Sequence, residues 1–181
     1  MAVLVGGNSR RFGTDKVLVE FEGKPLAHHV MRALEPLAGD RLLVGPDSER
    51  ALREGWRAVP DLREGLDAMG GLVSALAAAR EPWVFLAACD LPRLPAALVE
   101  ALWERRAGGP VVPEGPDGLE PLAALYPVAL LGLAQTRLER GELAVRDLAK
   151  TPGGIVVTWR ELESKLPPDA FHNVNRPEDL A

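Results

Sequence analysis

Aromatic side chains and cysteine are scarce in this chain. One tyrosine, four phenylalanines and four tryptophans make up 5% of it, and Cys89 is its single cysteine. A lone cysteine excludes a disulfide framework and fits a reducing, cytosolic setting. Long apolar runs are also missing. Stretches such as Val128 to Ala134 fall far short of the ~20 residues of a membrane span. The start shows no basic region followed by an apolar stretch and a cleavage site, so no signal peptide is read there. Positive charge is in deficit, with 21 Lys+Arg against 26 Asp+Glu, a net charge of −5 and a pI of about 5.3. That balance argues against a dedicated nucleic-acid binder, which usually carries a basic face.

What the chain does have is an alternation of short apolar runs with amphipathic stretches. Its 181 residues fit one domain and can bury a full core without staples. Ala2 to Val5 reads as a buried strand ending at Gly6-Gly7. Leu26 to Leu37 places Leu26, Val30, Met31, Leu34 and Leu37 on one helical face. Strands follow at Arg41–Val44 and Trp56–Val59, with a helix over Asp47–Glu54 between them. Gly71–Arg80 is an alanine-rich helix, and Trp83–Ala88 is apolar throughout, as a strand covered on both faces should be. Pro95–Arg106 is a helix with Pro at its start, with Leu98, Val99, Leu102 and Trp103 turned inward. Pro110–Pro113, Leu122–Tyr126 and Gly154–Thr158 read as strands and Val128–Leu138 as a helix.

This order predicts an α/β fold: a single domain with a mostly parallel sheet and helices on both faces. The segments near Gly65 and Glu114, polar and punctuated by Gly and Pro, read as the most mobile loops. In such sheets ligands bind beyond the carboxyl ends of the strands. Gly6, Gly45, Asp61 and Asp90 each follow a strand, so they are expected on one rim.

Straight off the first strand, Leu4 to Lys16 reads Leu-Val-Gly-Gly-Asn-Ser-Arg-Arg-Phe-Gly-Thr-Asp-Lys. Gly6 and Gly7 permit positive φ and close backbone approach, and their N–H groups can form an anion nest. Arg10, Arg11 and Lys16 add three cations in seven residues, and Ser9 adds a hydroxyl. N–H groups for geometry with cations for charge are what a polyphosphate requires. The loop is neither a P-loop nor a dinucleotide fingerprint, because Lys-Ser/Thr does not follow the glycine and no helix opens after it.

Asp90, at the end of the strongest strand, is placed either to hold Mg²⁺ alongside phosphate oxygens or to cap the segment at Pro95. Asp61 is a turn residue or a ligand contact. Asn173 and Asn175 would point the same way in extended backbone and could meet phosphate or metal without adding charge, or cap a turn before Pro177. His28, His29 and His172 lack partners at zinc-ligand spacing. Cys89 reads as a small buried residue, and Trp56, Trp83, Trp103 and Trp159 as packing residues.

The opening segment resembles the signature of the molybdenum-cofactor guanylyltransferases, within a larger nucleotidyltransferase superfamily. The resemblance continues through Gly23-Lys24-Pro25-Leu26, Asp61, Cys89-Asp90-Leu91-Pro92 and the closing stretch from Phe171 through Asn173-Val174-Asn175-Arg176-Pro177-Glu178-Asp179-Leu180. It implies a Mg²⁺-dependent transfer of GMP from GTP to the terminal phosphate of molybdopterin or its molybdenum-loaded form, with pyrophosphate released. It implies that Leu4, Val5, Gly6, Gly7, Lys16, Asp61 and Asp90 bind the nucleotide, that Arg11, Lys16 and Asp90 are catalytic, and that Asp90 is the metal ligand. Acceptor contacts fall to Asn173, Asn175 and Arg146. The nucleotide-binding part is then about 1–110 and the acceptor side about 111–181 of one domain spanning 1–181. Molybdenum-insertion or molybdoenzyme-maturation proteins are further implied partners.

Gly6-Gly7 resembles the guanylyl-transferring branch, whereas cytidylyl-transferring relatives tend to have Ala-Gly. Val5 stands where alanine is usual. Gly45 stands where some members have an asparagine, so any contact with the nucleotide there must come from backbone. Rival readings are the same fold with another acceptor or nucleotide, such as a sugar phosphate or CTP, and a non-catalytic nucleotide-binding module. A GTPase switch lacks both its P-loop and its Asn-Lys-x-Asp.

Overall fold

The computed structural model describes residues 1–6, 19–60, 68–175 and 179. Four parallel strands form its centre: β1 (Ala2–Leu4), β4 (Leu42–Val44), β5 (Arg57–Val59) and β6 (Trp83–Ala88). Between β1 and β4 lie a two-stranded hairpin, β2 (Glu20–Phe21) and β3 (Lys24–Pro25), and helix α1 (Leu26–Leu34), which a 3-10 turn at Glu35–Leu37 prolongs. Helix α2 (Ala68–Ala78) leads to β6, and α3 (Ala96–Glu104) follows it. The later half adds β7 (Val111–Gly115), β8 (Gly118–Leu119), β9 (Ala123–Pro127), α4 (Leu131–Glu139), a 3-10 helix at Val145–Lys150, β10 (Ile155–Val157) and α5 (Trp159–Leu162).

The sheet runs β10-β7-β9-β6-β1-β4-β5, with β8 paired to β7. The chain leaves β1 for β4 and β5 on one side and then returns to β6 on the other. The switch point of the doubly wound half therefore lies between β1 and β6. The expected mostly parallel sheet with helices on both faces is present. One central strand, β9, runs antiparallel to both β6 and β7. The tight turn between β7 and β8 sends the chain straight back along β7 and on into β9 as an antiparallel neighbour, since a parallel one needs a full crossover.

Alternate residues of each strand enter opposite cores. Val3, Leu43, Phe85, Ala87 and Leu125 pack with α1, α3 and Leu162 of α5. Ala2, Leu42, Val44, Leu86, Ala124 and Tyr126 pack with α2, with Ala134 of α4 and with Val145, Leu148 and Ala149. Fully buried Tyr126 donates its hydroxyl to the Pro121 carbonyl at 2.8 Å.

Three expectations are corrected. Asp47–Glu54 is a chain of turns rather than a helix. Ser48 N–H bonds the Gly45 carbonyl and Leu52 N–H the Glu49 carbonyl, both at three-residue spacing. Bounded by Pro46 and Gly55 and burying only Ser48 and Ala51, the segment has no apolar stripe to hold a regular helix. Glu114 is not in a loop but in β7, opposite Leu119 of β8; Gly65 lies outside the described residues. Trp103 is 43% exposed rather than inward. It lines a cavity of about 560 Å³ with Met1, Leu37, Trp83, Phe85 and Val99, and the Arg106 guanidinium covers its ring at 3.7 Å.

Gly45 ties β4 to β1. Its φ is +132°, and a Cβ there would lie 1.9 Å from the Val5 carbonyl oxygen. Gly45→Ala is therefore expected to lower the unfolding free energy by about 3 kcal/mol or more, measured as a drop in the urea midpoint. An unchanged midpoint would mean that the two strand ends do not touch in solution.

Candidate active site

Beyond the carboxyl ends of the central strands the ladder continues by one residue. Cys89 N–H donates to the Leu4 carbonyl at 3.1 Å, Val5 N–H to the Val44 carbonyl at 2.8 Å, and Gly45 N–H to the Val59 carbonyl at 3.0 Å. With Leu4 opposite Ala88 in register, the chain turns off at Gly6 and at Asp90 from the same end of two neighbouring strands, on either side of the switch point. The expected gathering of Gly6, Gly45 and Asp90 on one rim is present. Asp61, which follows β5 and Pro60, lies outside the described residues, as do Gly7, Arg11 and Lys16.

Each described residue near the loop's start has a definite job. Val5 is 1% exposed and belongs to the core. The Leu4 side chain packs on α2, so that a Cβ at Gly71 would meet it at 2.8 Å. Both therefore offer a ligand backbone rather than side chain. Gly45 spends its N–H on Val59 and its carbonyl on Ser48 N–H, so its backbone is committed to the fold. Gly6 has φ +108°, and a Cβ on it would press on the Pro46 ring at 2.8 Å. It is the glycine that turns the chain off β1 at the rim.

The glycine-rich loop returns at Val19, and that end is also tied to Asp90. Val19, Phe21, Leu26 and Val174 form one buried cluster. Val174 N–H donates to the Asp90 carbonyl at 2.9 Å. Arg93 covers the Phe21 ring at 5.4 Å, pairs with Asp169 and lies 3.8 Å from Glu22. The two described ends of the loop are thus both linked to the strand end that carries Asp90, one through Leu4 and Cys89, the other through Val174. Asn173 and Asn175 are exposed on either side of buried Val174, the alternation their spacing predicts, and the Asn175 N–H is held by the Asp179 carboxylate at 2.8 Å. Arg146 is exposed on the Val145–Lys150 turn, and no hydrogen bond or ion pair among the described residues links it to this rim.

The rim holds a residue that the sequence reading passed over. Glu120 lies at the bend into β9, with its N–H on the Pro113 carbonyl at 2.9 Å and its carbonyl accepting Ala123 N–H at 3.1 Å. Burial, with Asp117 and Asp90 nearby, pushes its carboxyl up from the ordinary 4.5 to about 7. No local motif marks it. The one available signal was the Glu-Pro-Leu step before a strand destined to pair with β6.

The donor set fits a divalent ion shared with phosphate rather than a protein cage. Among the described residues no group of three His, Cys, Asp or Glu side chains could hold a metal, while Asp90 supplies a rim carboxylate. Mg²⁺ favours one or two carboxylates completed by phosphate oxygens and water. No helix of the described residues is long and apolar enough to cross a membrane.

Residues 1–154 match the model of the MobA-like NTP transferase domain. The chain is 37% identical to the probable molybdenum cofactor guanylyltransferase of Deinococcus radiodurans, covering 99% of this chain and 91% of that one. It is 33% identical to the molybdenum cofactor guanylyltransferase of Pseudomonas paraeruginosa, again over 99% and 91%. The crystal structure of molybdopterin-guanine dinucleotide biosynthesis protein A from Archaeoglobus fulgidus superposes with a TM-score of 0.82 at 26% identity, covering 99% of this chain and 93% of that one. A cytidylyltransferase for 2-C-methyl-D-erythritol 4-phosphate from Thermus thermophilus shares the fold, with a TM-score of 0.67 at 20% identity over 99% and 94%.

The Glu120 environment sets a pH dependence. Its folded pKa is raised, so the stability it contributes is complete below its ordinary 4.5 and is lost as pH rises through about 7. After discounting for solvent screening of a half-exposed group, Glu120→Gln should stabilise the chain by about 1 kcal/mol at pH 8 and by about nothing at pH 4.5. Urea unfolding at both pH values in EDTA checks this; equal differences at the two would refute the raised pKa.

Proposed function

Because the chain belongs to the MobA-like NTP transferase family, we propose that it transfers GMP from GTP to the terminal phosphate of molybdopterin, or of its molybdenum-loaded form. The product is the guanine dinucleotide cofactor, and pyrophosphate leaves. The observation that carries this reading is that the glycine turn off β1 and Asp90 leave adjacent parallel strands at the same end, across the switch point, in a chain similar along its whole length to named guanylyltransferases. The single buried cysteine agrees with work in the cytosol.

An oxygen of the acceptor phosphate forms a bond to the α-phosphorus of GTP. The bond from that phosphorus to the β-bridging oxygen breaks, and the electron pair leaves with pyrophosphate. The acceptor is already an anion, so no side-chain nucleophile is needed. Positioning and charge neutralisation carry such transfers. In this reading Gly6 and Gly7 cradle phosphate, Leu4 and Val5 border the nucleotide through backbone, and Asp61 contacts it. Lys16 and Arg11 neutralise charge as it moves onto pyrophosphate. Asp90 would hold Mg²⁺, which when bound supplies positive charge to the polyphosphate. Asn173 and Asn175, brought to Asp90 by Val174, serve the acceptor side, about 111–181; Arg146 serves it as a distal acceptor cation. The tied ends of the glycine-rich loop support placing its cations opposite Asp90.

Lys16→Ala is expected to cut kcat by roughly 10²–10³, the range for losing one key electrostatic donor, followed as pyrophosphate release from GTP and molybdopterin. Near-wild-type turnover would remove Lys16 from the mechanism. Calorimetric titration with GTP, CTP, ATP and UTP in Mg²⁺ should show GTP bound tightest, and a preference for CTP would overturn the base assignment while leaving the fold intact.

A further inference from the structure

One carboxyl on the β9 flank of the rim has no role in the reaction as derived above. Glu120 is fixed by both of its backbone hydrogen bonds, to Pro113 and Ala123. The next contact along the chain, Leu122 carbonyl to Ala88 N–H at 2.8 Å, ties the same bend to the end of β6 just before Asp90. The side chain is equally confined. A Cβ added to Gly115 would lie 3.2 Å from its Cγ and Oε1 and 3.0 Å from the Phe171 ring. Gly115 therefore leaves room for the carboxyl, and the Phe171 ring packs against the same glycine. Three segments meet here: the end of β6, the β8–β9 bend and the strand-like stretch through Val174.

The charged groups that act on Glu120, Asp117 and Asp90, are both acidic. The chemistry of Glu120 limits what it can meet: an ionised carboxylate only accepts, so the ligand group facing it must donate hydrogen bonds. A carboxylate accepts two parallel N–H bonds in one plane. The 2-amino-4-oxopyrimidine ring offers that pair, and both pterin and guanine carry it.

Resting on the guanylyltransferase reading, we propose that Glu120 is a specificity-determining residue that binds the paired N–H groups of a 2-amino-4-oxopyrimidine ring, presented by the pterin of the acceptor. Its place on the β9 side of β6, away from β1, β4 and β5, assigns it to the acceptor rather than to the guanine of GTP.

Initial rates with the purified full chain test this, varying molybdopterin at saturating GTP and then the reverse. In Glu120→Gln the KM for molybdopterin should rise roughly tenfold to a hundredfold, the range for a charge-assisted hydrogen-bonded pair. The KM for GTP and kcat at saturating acceptor should hold within about twofold. Glu120→Asp should recover part of the loss, and inhibition by glycerol phosphate, which lacks the ring, should be equal in wild type and variant. An unchanged KM for molybdopterin overturns the proposal. A rise confined to GTP moves the contact to guanine and overturns the assignment to the acceptor, and a parallel rise for both substrates marks a merely structural residue and overturns it as well. If the wild-type chain forms no dinucleotide from GTP and molybdopterin, the guanylyltransferase reading falls and takes the proposal with it, an outcome told apart because it appears without any substitution.

Discussion

The site depends on backbone hydrogen bonds that carry the parallel ladder one residue past the strands. Cys89 to Leu4, Val5 to Val44 and Gly45 to Val59 hold the ends of four strands at one level. Remove that alignment and the turn at Gly6 and the end of β6 at Asp90 no longer share one rim. The glycines at these ends are consequences of it. Gly45 has no Cβ because the Val5 carbonyl occupies the space, and Gly6 has none because Pro46 does. A sheet that twists by roughly 20–25° per strand keeps its ends level only where neighbouring backbones approach this closely.

This alignment also explains why so little of the site is built from dedicated side chains. In the proposed site the turn off β1 supplies backbone, the end of β6 a carboxylate and the C-terminal stretch two amides. The last of these arrives through a single main-chain bond, Val174 to Asp90, backed by the cluster of Val19, Phe21, Leu26 and Val174. That cluster joins the far end of the glycine-rich loop to the C-terminal stretch, so the two halves of the chain cannot be positioned independently. Packing beneath the rim thus sets distances on it, which suits a reaction accelerated by positioning and charge rather than by a nucleophile.

Much of this was legible in the sequence because it rests on short-range pattern. The apolar run Trp83–Ala88 reads as a doubly covered strand and is one, with the same bounds. Asn173 and Asn175 were recognisable from their spacing, because extended backbone alternates and Val174 between them is apolar. The helix expected over Asp47–Glu54 failed because propensity outweighed a missing apolar face. Trp103 was expected inward because its helix is amphipathic, yet the packing around it leaves an open cavity. The direction of β9 had a local signal, Pro116-Asp117-Gly118, a tight turn that sends the chain back antiparallel along β7. Glu120, by contrast, was invisible. Its significance comes from Asp90, Gly115 and Phe171, residues distant in sequence that meet only once the sheet has formed.

The charge of the molecule sharpens the argument about where anions can be held. The chain carries a net charge of −5, and its rim presents Asp90, Glu120 and Asp117. Arg93, the described cation closest in sequence to Asp90, is drawn to Asp169 and Glu22 and lies over Phe21, so it anchors the chain that returns from the loop. A polyphosphate brought to such a rim needs compensating charge from elsewhere. Two sources fit: an ion shared between Asp90 and the phosphates, and the three cations that the sequence concentrates between Gly7 and Val17. An acidic protein can thus hold a strongly anionic substrate by concentrating three cations in the loop that leaves the rim at Gly6.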